Sequence, residues 1–377
     1  MTKPVLIVFG GLSPEHEVSI ITGLQVLESI DRNQYRPIVI YIDKHGAIFC
    51  LPNLRDRHGF LTATRKLITF GRNAKGGFIR TNGMFGKKMY PYAAYLALHG
   101  GPGESGPVQG FFEVTGVPFT SASQESSVLM MNKQLTKQVV SGVGVEVVPG
   151  ISMRSSEIRA GADRCAKNTA SKLGLPVIVK PVHLGSSIGI AVARTEVELE
   201  KALLEAAFID TEILVEKFLP SFVEYNCAVR SVSGKLEASE VERPLSKDEI
   251  LSFADKYERG GKKTGGDSGM ASLSRELPAK IDADLKHLIQ ETAKKAFLAC
   301  RTKGMVRADF MYTADKNLYL TEINPIPGSM AFYLWEASGI SFTQQISDLI
   351  EGALYDKEHD PMPLEYKTAI VEKFVSQ

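Results

Sequence analysis

The stretch 307–329, RADFMYTADKNLYLTEINPIPGS, constrains the fold more than any other part of the chain. Its halves RADFMY and LYLTEINP alternate apolar and polar residues as antiparallel strands do, and residues 313–317 between them read as a turn. The polar positions are Arg307, Asp309, Glu322 and Asn324. One face of such a hairpin would present a cation, two carboxylates and an amide among apolar neighbours. Two carboxylates and an amide oxygen are hard ligands suited to Mg²⁺, whose remaining positions substrate phosphates can fill. The same residues read equally well as a salt bridge from Arg307 to Asp309 or Glu322 on a solvated sheet face. On this stretch alone both readings stand.

The frame around the hairpin is that of a water-soluble globular protein of two or three domains: 377 residues, 44% hydrophobic and 23% charged. A net charge of +1 leaves no general basic field for nucleic acid. Four cysteines far apart, with no CxxC pair, argue against a zinc site or a disulfide framework and suit a reducing cytoplasm. The apolar start PVLIVFGG is too short to span a membrane and runs straight into a turn, as a first core strand would.

Residues 4–9, a helix from Ser13-Pro14 to about Ser29 and residues 36–42 form a βαβ unit. Its turn, Gly10-Gly11-Leu12-Ser13, is not GxGxxG, so a dinucleotide-linked dehydrogenase is disfavoured. Glu15 falls in the first turn of that helix, where an acid complements the helix dipole and also stands at the mouth of the sheet. Residues 43–90 read as an excursion with short strands. A buried strand at 93–98 then ends in His99-Gly100-Gly101-Pro102-Gly103-Glu104-Ser105-Gly106, a second loop whose glycines let a ligand approach the backbone.

A helix at 126–140 opens a new region. A strand at 176–179 closes on Lys180, and residues 183–190, HLGSSIGI, form a hairpin loop that offers amides and the hydroxyls of Ser186 and Ser187 to a phosphate chain. Read as structure alone, this is a tight turn using Gly185 and Gly189. A helix at 196–208, a strand at 212–216 and the linker Glu216-Lys217-Phe218-Leu219 follow, with Glu224 at the start of the next strand. Such a linker can read an adenine edge through its backbone. Residues 253–269 hold five glycines and four basic residues, a composition that reads as a linker or a lid.

The motifs GGLSPEHEVS, LHGGPGESGPVQG, PVIVKPVHLGSSIGI, LVEKFL, VRADF and EINPIPGS, in that order across residues 10–329, resemble the D-alanine:D-alanine ligase family of the ATP-grasp superfamily. The resemblance implies an α/β fold of three domains, an N-terminal α/β domain (1–131) and two ATP-grasp subdomains (132–215 and 216–377) that clamp ATP. It implies an enzyme that joins two D-alanines through an acyl phosphate for peptidoglycan precursors. A ligase of the same type with a different second substrate is the alternative. It further implies ATP, two Mg²⁺ ions for which Mn²⁺ can substitute, small-molecule partners only, a homodimer and a cytoplasmic location.

Residue by residue, the resemblance assigns Glu15, Val18, Ser19 and His99 to the first substrate. Lys133, Lys180, Ser186 and Ser187 fall to the phosphates, Glu216, Lys217 and Leu219 to adenine, and Glu224 to ribose. Tyr257 of the lid links by hydrogen bond to Ser186 and Glu15. Arg307 goes to the transferring phosphoryl group, and Asp309, Glu322 and Asn324 to the metals. Gly328 supplies the oxyanion amide, with Ser329 and Tyr333 toward the second substrate. Two departures stand out: a longer, glycine-richer lid, and Tyr333 where the family usually carries a small hydroxyl residue.

Overall fold

The computed structural model describes residues 2–81, 86–185, 188–245, 275–359 and 369–376. Three sheets organise them. In the first, β1 (Lys3–Gly10) lies parallel between β2 (Tyr35–Ile42) and β7 (Ala93–Leu96). Val5 to Phe9 are completely or almost completely buried, the continuous apolar run expected of a parallel strand covered on both faces. The helix His16–Ser29 makes the β1–β2 crossover. It starts later than Ser13-Pro14 suggests, because Ser13 uses its hydroxyl to accept from the Glu15 amide within the preceding turn. The expected excursion at 43–90 is an extension of the same sheet: β3 (Ile48–Cys50), β4 (Lys66–Asn73), β5 (Gly76–Thr81) and β6 (Lys88–Met89) add antiparallel beyond β2.

The second sheet is antiparallel, in the order β10 (Ala191–Ala193), β9 (Val177–Pro181), β11 (Glu212–Lys217), β8 (Gly150–Arg154). The helices Ser155–Ala160, Ala162–Leu173 and Glu196–Ile209 share its apolar core. The expected boundary at 215 falls inside β11.

The third sheet runs β14 (Arg275–Glu276), β13 (Lys235–Pro244), β12 (Phe222–Val232), β15 (Met305–Thr313), β16 (Leu318–Asn324). One face packs Tyr225, Cys227, Val229, Val306, Ala308, Phe310 and Ile323 against the helix Ala283–Ala299. The same core takes Met130 and Val140 from two helices, Gln124–Met131 and Lys133–Gly142, where sequence pattern suggests a single helix. The break is Asn132, whose side chain accepts from the Leu135 amide and caps the second helix. The expected boundary at 131 therefore separates two helices that share one core.

Candidate active site

The hairpin β15–β16 forms as its alternation demands, but with a fault in register. Asp309 pairs with Glu322 and Arg307 with Asn324, after which Phe310 pairs with Leu320 and Thr321 is left over as a bulge. Strict alternation would put Glu322 on the face of Leu318 and Leu320, which are core residues. The bulge turns Glu322 over to join Asp309, and the Thr321 hydroxyl fixes it by donating to the Asp309 carbonyl at 2.8 Å. Asn226 on β12 lies opposite Asp309, and Glu224 opposite Met311, so both share this face.

Arg307 makes the bidentate pair with Asp309, at 2.7 Å to each carboxylate oxygen, and Asn324 donates its amide to the same carboxylate at 3.1 Å. Burial alone would weaken the guanidinium's charge, but Asp309 overrides it and holds the group well above the usual arginine value. The salt bridge and the set of oxygen donors thus coexist. Since Asn324 uses its nitrogen on Asp309, its oxygen stays available as a metal ligand beside the two carboxylates. Among the described residues no group of three His, Cys, Asp or Glu side chains could hold a metal ion, so any ion here depends on Asn324 and on its substrate.

Two loops of the first sheet face this hairpin. A Cβ on Gly100, which has φ of +64°, would stand 2.5 Å from the Ser13 hydroxyl and 2.7 Å from a Glu15 carboxylate oxygen. Only glycine allows the loop to approach Glu15 so closely. His99 is buried, with Nδ1 3.0 Å from the Ile326 carbonyl and Nε2 2.8 Å from the Thr22 hydroxyl. A carbonyl only accepts, so Nδ1 carries the proton and Thr22 donates to Nε2. Burial drives the imidazole down to about 4, so it is neutral near pH 7. Glu104 accepts from the amides of Gly100 at 2.8 Å and Ile326 at 3.3 Å. Burial, then the charge of Glu15, pushes this acid up to about 8. Ser19 is fully buried and braces the loop, accepting from the Gly10 amide and donating to the Ala97 carbonyl; Val18 is half-buried beside it.

The second sheet and the helix Lys133–Gly142 bring lysines. Lys133 begins the helix capped by Asn132 and donates to the Leu184 carbonyl at 2.6 Å. Lys180 reaches a Glu216 oxygen at 2.5 Å, and Lys137, to which sequence pattern assigned nothing, takes the other oxygen. Burial opposes the charge of Glu216, and the two ammonium groups override it, keeping the carboxylate below its ordinary range. Lys217 and Leu219 follow on the linker, whose backbone is fixed by Lys217 donating to the Pro149 carbonyl and Phe218 to that of Pro176. Lys137 was legible only as a lysine four residues after Lys133, on the same helix face.

After β16 the chain reaches Gly328 and three successive residues in the left-handed region, Ser329, Met330 and Ala331, with φ of 49°, 54° and 46°. Each costs about 1–2 kcal/mol relative to ordinary backbone. Gln345 stabilises the turn by donating to the Met330 carbonyl at 2.7 Å. Tyr333 is buried against Phe332, and the Arg275 guanidinium lies 3.9 Å from its ring centroid. Arg275 pairs with Glu242 at 2.9 Å, which also accepts from Asn226. Neither Arg275 nor Glu242 was singled out from sequence, because their meeting depends on the pairing of β13 with β14. Ser186, Ser187 and Tyr257 lie outside the described residues.

These parts meet: Lys133 lies within the electrostatic reach of Glu322, His99 within that of Arg307, and Glu104 within that of both Glu15 and Glu322. Fold and site define an ATP-dependent ligase of the ATP-grasp class. Models of the D-Ala D-Ala ligase N-terminus and C-terminus match residues 4–122 and 139–351. The D-alanine–D-alanine ligase of Thermosipho melanesiensis is 37% identical over 353 residues, 92% of each chain, and that of Thermosipho africanus 34% identical over 348 residues, 91% of each. This chain belongs to the D-alanine–D-alanine ligase family. Among solved structures, the VanG D-Ala:D-Ser ligase of Enterococcus faecalis superimposes with a TM-score of 0.79 at 27% identity, over 94% of this chain and all of that one. The D-alanine-D-alanine ligase of Coxiella burnetii shares the fold with a TM-score of 0.76 at 24% identity, over 100% of this chain and 97% of that one.

Proposed function

We propose that this protein joins two D-alanines into D-alanyl-D-alanine, with ATP converted to ADP and phosphate, for peptidoglycan precursors in a cytoplasm that leaves its four free cysteines reduced. The observation that carries this reading is the convergence of Glu15, the lysines Lys133 and Lys180 and the Arg307–Asp309–Glu322–Asn324 face around one region. A carboxylate is a poor acyl acceptor, so the first amino acid must be activated as an acyl phosphate before the second amine attacks.

Glu15 offers its carboxylate to the ammonium group of the first substrate, with Val18 against its side chain. Ser19 and His99 hold the loops that shape that site. Lys133 and Lys180 serve the phosphates together with the loop at 186–187. The backbone of Glu216–Leu219 takes the adenine edge, and Glu224 the ribose hydroxyls. Arg307 lies against the phosphoryl group in transit, where a fixed cation is most effective. The Gly328 amide faces the oxyanion, and Tyr257 belongs to the cover that excludes water. Asp309, Glu322 and the oxygen of Asn324 fit Mg²⁺. When bound, the metal supplies charge neutralisation of the phosphate chain.

Tyr333 favours one alternative, a different second substrate, because it stands where the family usually carries a small hydroxyl residue and the Arg275 guanidinium lies over its ring. The test is phosphate release across pairs of D- and L-amino acids and D-hydroxy acids. Release should be greatest with D-alanine alone. A faster D-alanine and D-serine pair would move the assignment to the alternative, and no ATP-dependent release with any pair would overturn it.

A further inference from the structure

A lysine ammonium is rarely buried unless a carboxylate or several acceptors replace its water. Lys137 is 7% exposed. Its ammonium pairs with Oε1 of Glu216 and donates to the Val148 carbonyl at 2.9 Å, so it is tethered twice in the interior. Lys180 takes Oε2 of Glu216, and among the described residues this carboxylate is its one ion-pair partner. Glu216 itself is 2% exposed.

A lysine that serves the phosphates of ATP has to turn away from Glu216. With no other cation present, that turn would strand a buried carboxylate, and a buried charge left without its partner is strongly unfavourable. With Lys137 in place, a neutral pair stays behind. We propose that Lys137 is a positioning residue for nucleotide binding: it keeps the charge of Glu216 balanced so that Lys180 can leave that carboxylate for the phosphate chain of ATP. The inference rests on the reading of Lys180 as a phosphate lysine.

The experiment is a double-mutant cycle on the full chain, with the Kd for ATP measured by calorimetry in the absence of amino acids. In Lys137→Met, Lys180 stays with Glu216 and ATP binding weakens about tenfold or more. In the Glu216→Gln background, where no carboxylate remains to be balanced, the same substitution changes Kd by less than about twofold. A purely structural lysine would lose affinity equally in both backgrounds, and that result overturns the proposal, as does an unchanged Kd in Lys137→Met. Should Lys137→Met not fold, the double variant against Glu216→Gln decides: equal affinities support the proposal and a drop overturns it. Lys180→Met separates the two failures. Unchanged ATP affinity there removes the phosphate reading of Lys180 and the proposal with it, whereas weakened affinity with additive Lys137 effects removes the proposal alone.

Discussion

Both backbone polar groups of Ile326 are taken by side chains more than two hundred positions earlier: its carbonyl by His99 and its amide by Glu104, at sequence separations of 227 and 222. The tether holds the chain two residues before Gly328. Because the folded protein keeps the proton of Glu104 up to about 8, while the unfolded chain releases it near 4.5, the unfolded state binds fewer protons between those values. Stability therefore falls as pH rises from about 4.5 to 8 and levels off above. Denaturant titrations at pH 5 and pH 8 should show that fall in the parent. Glu104→Gln, with no proton to release, should show a smaller one, although it is less stable at both pH values because its amide nitrogen faces a backbone N–H. An equal pH dependence in the variant would clear Glu104 of the effect. Tyr333 is the second residue whose environment makes a prediction. If its ring lines the second site, Tyr333→Ser changes KM for the second amino acid at least severalfold and leaves KM for ATP nearly unchanged. An unmoved second-substrate KM would make Tyr333 a packing residue against Phe332.

The hairpin β15–β16 shows what an element's sequence can and cannot say. That Arg307, Asp309, Glu322 and Asn324 belong together was legible from their polarity among apolar neighbours, as were the opening βαβ unit and the glycine loop at 99–106. The bulge at Thr321 was not, because it depends on which residues of β16 the helix Ala283–Ala299 and its neighbours bury. Strand β8, GISMR, was missed for a related reason: every one of its residues is exposed or half-buried, so it carries no apolar signature. The split at Asn132 is a capping event, and an asparagine inside a helical pattern announces it only to a reader who already expects two helices. Lys137, Glu242 and Arg275 stayed hidden because their partners come from distant strands. At this scale the expectation is that Glu322→Gln, which removes one charge from the hairpin face and keeps its shape, lowers kcat about a hundredfold or more while ATP still binds. A near-normal kcat at saturating Mg²⁺ would sink the metal reading of this face.

Across the molecule, the first sheet and the helix Phe342–His359 are one body. Glu351, on the helix Phe342–His359, accepts from Lys3, Tyr35 and Tyr92, each at 2.8 Å. Partial burial opposes its charge, and these hydrogen bonds outweigh burial and hold the carboxyl below its ordinary range. Such an acid stabilises the fold above its unfolded pKa, and that contribution is lost as pH falls through the folded value. Glu351→Ala should cost about 1–2 kcal/mol at pH 7, a figure kept small by solvent at the pair. The difference from the parent should narrow below pH 4, and a thermal midpoint unchanged at pH 7 would show that the contact is idle. Beneath it, Met305, Ile326, Met330, Trp335, Ile346 and Leu349 pack in the same core as β1, β2 and β7. No helix among the described residues is long and apolar enough to cross a membrane. The shared core sets the unit in which this architecture can be exchanged between relatives. A graft that swaps residues 4–122 alone would set a foreign sheet against helices shaped for another, while the second sheet, whose apolar core is its own, can change hands by itself. Recombination within the family should leave its crossovers at the edges of the second sheet and keep the first sheet and the helix Phe342–His359 in common descent.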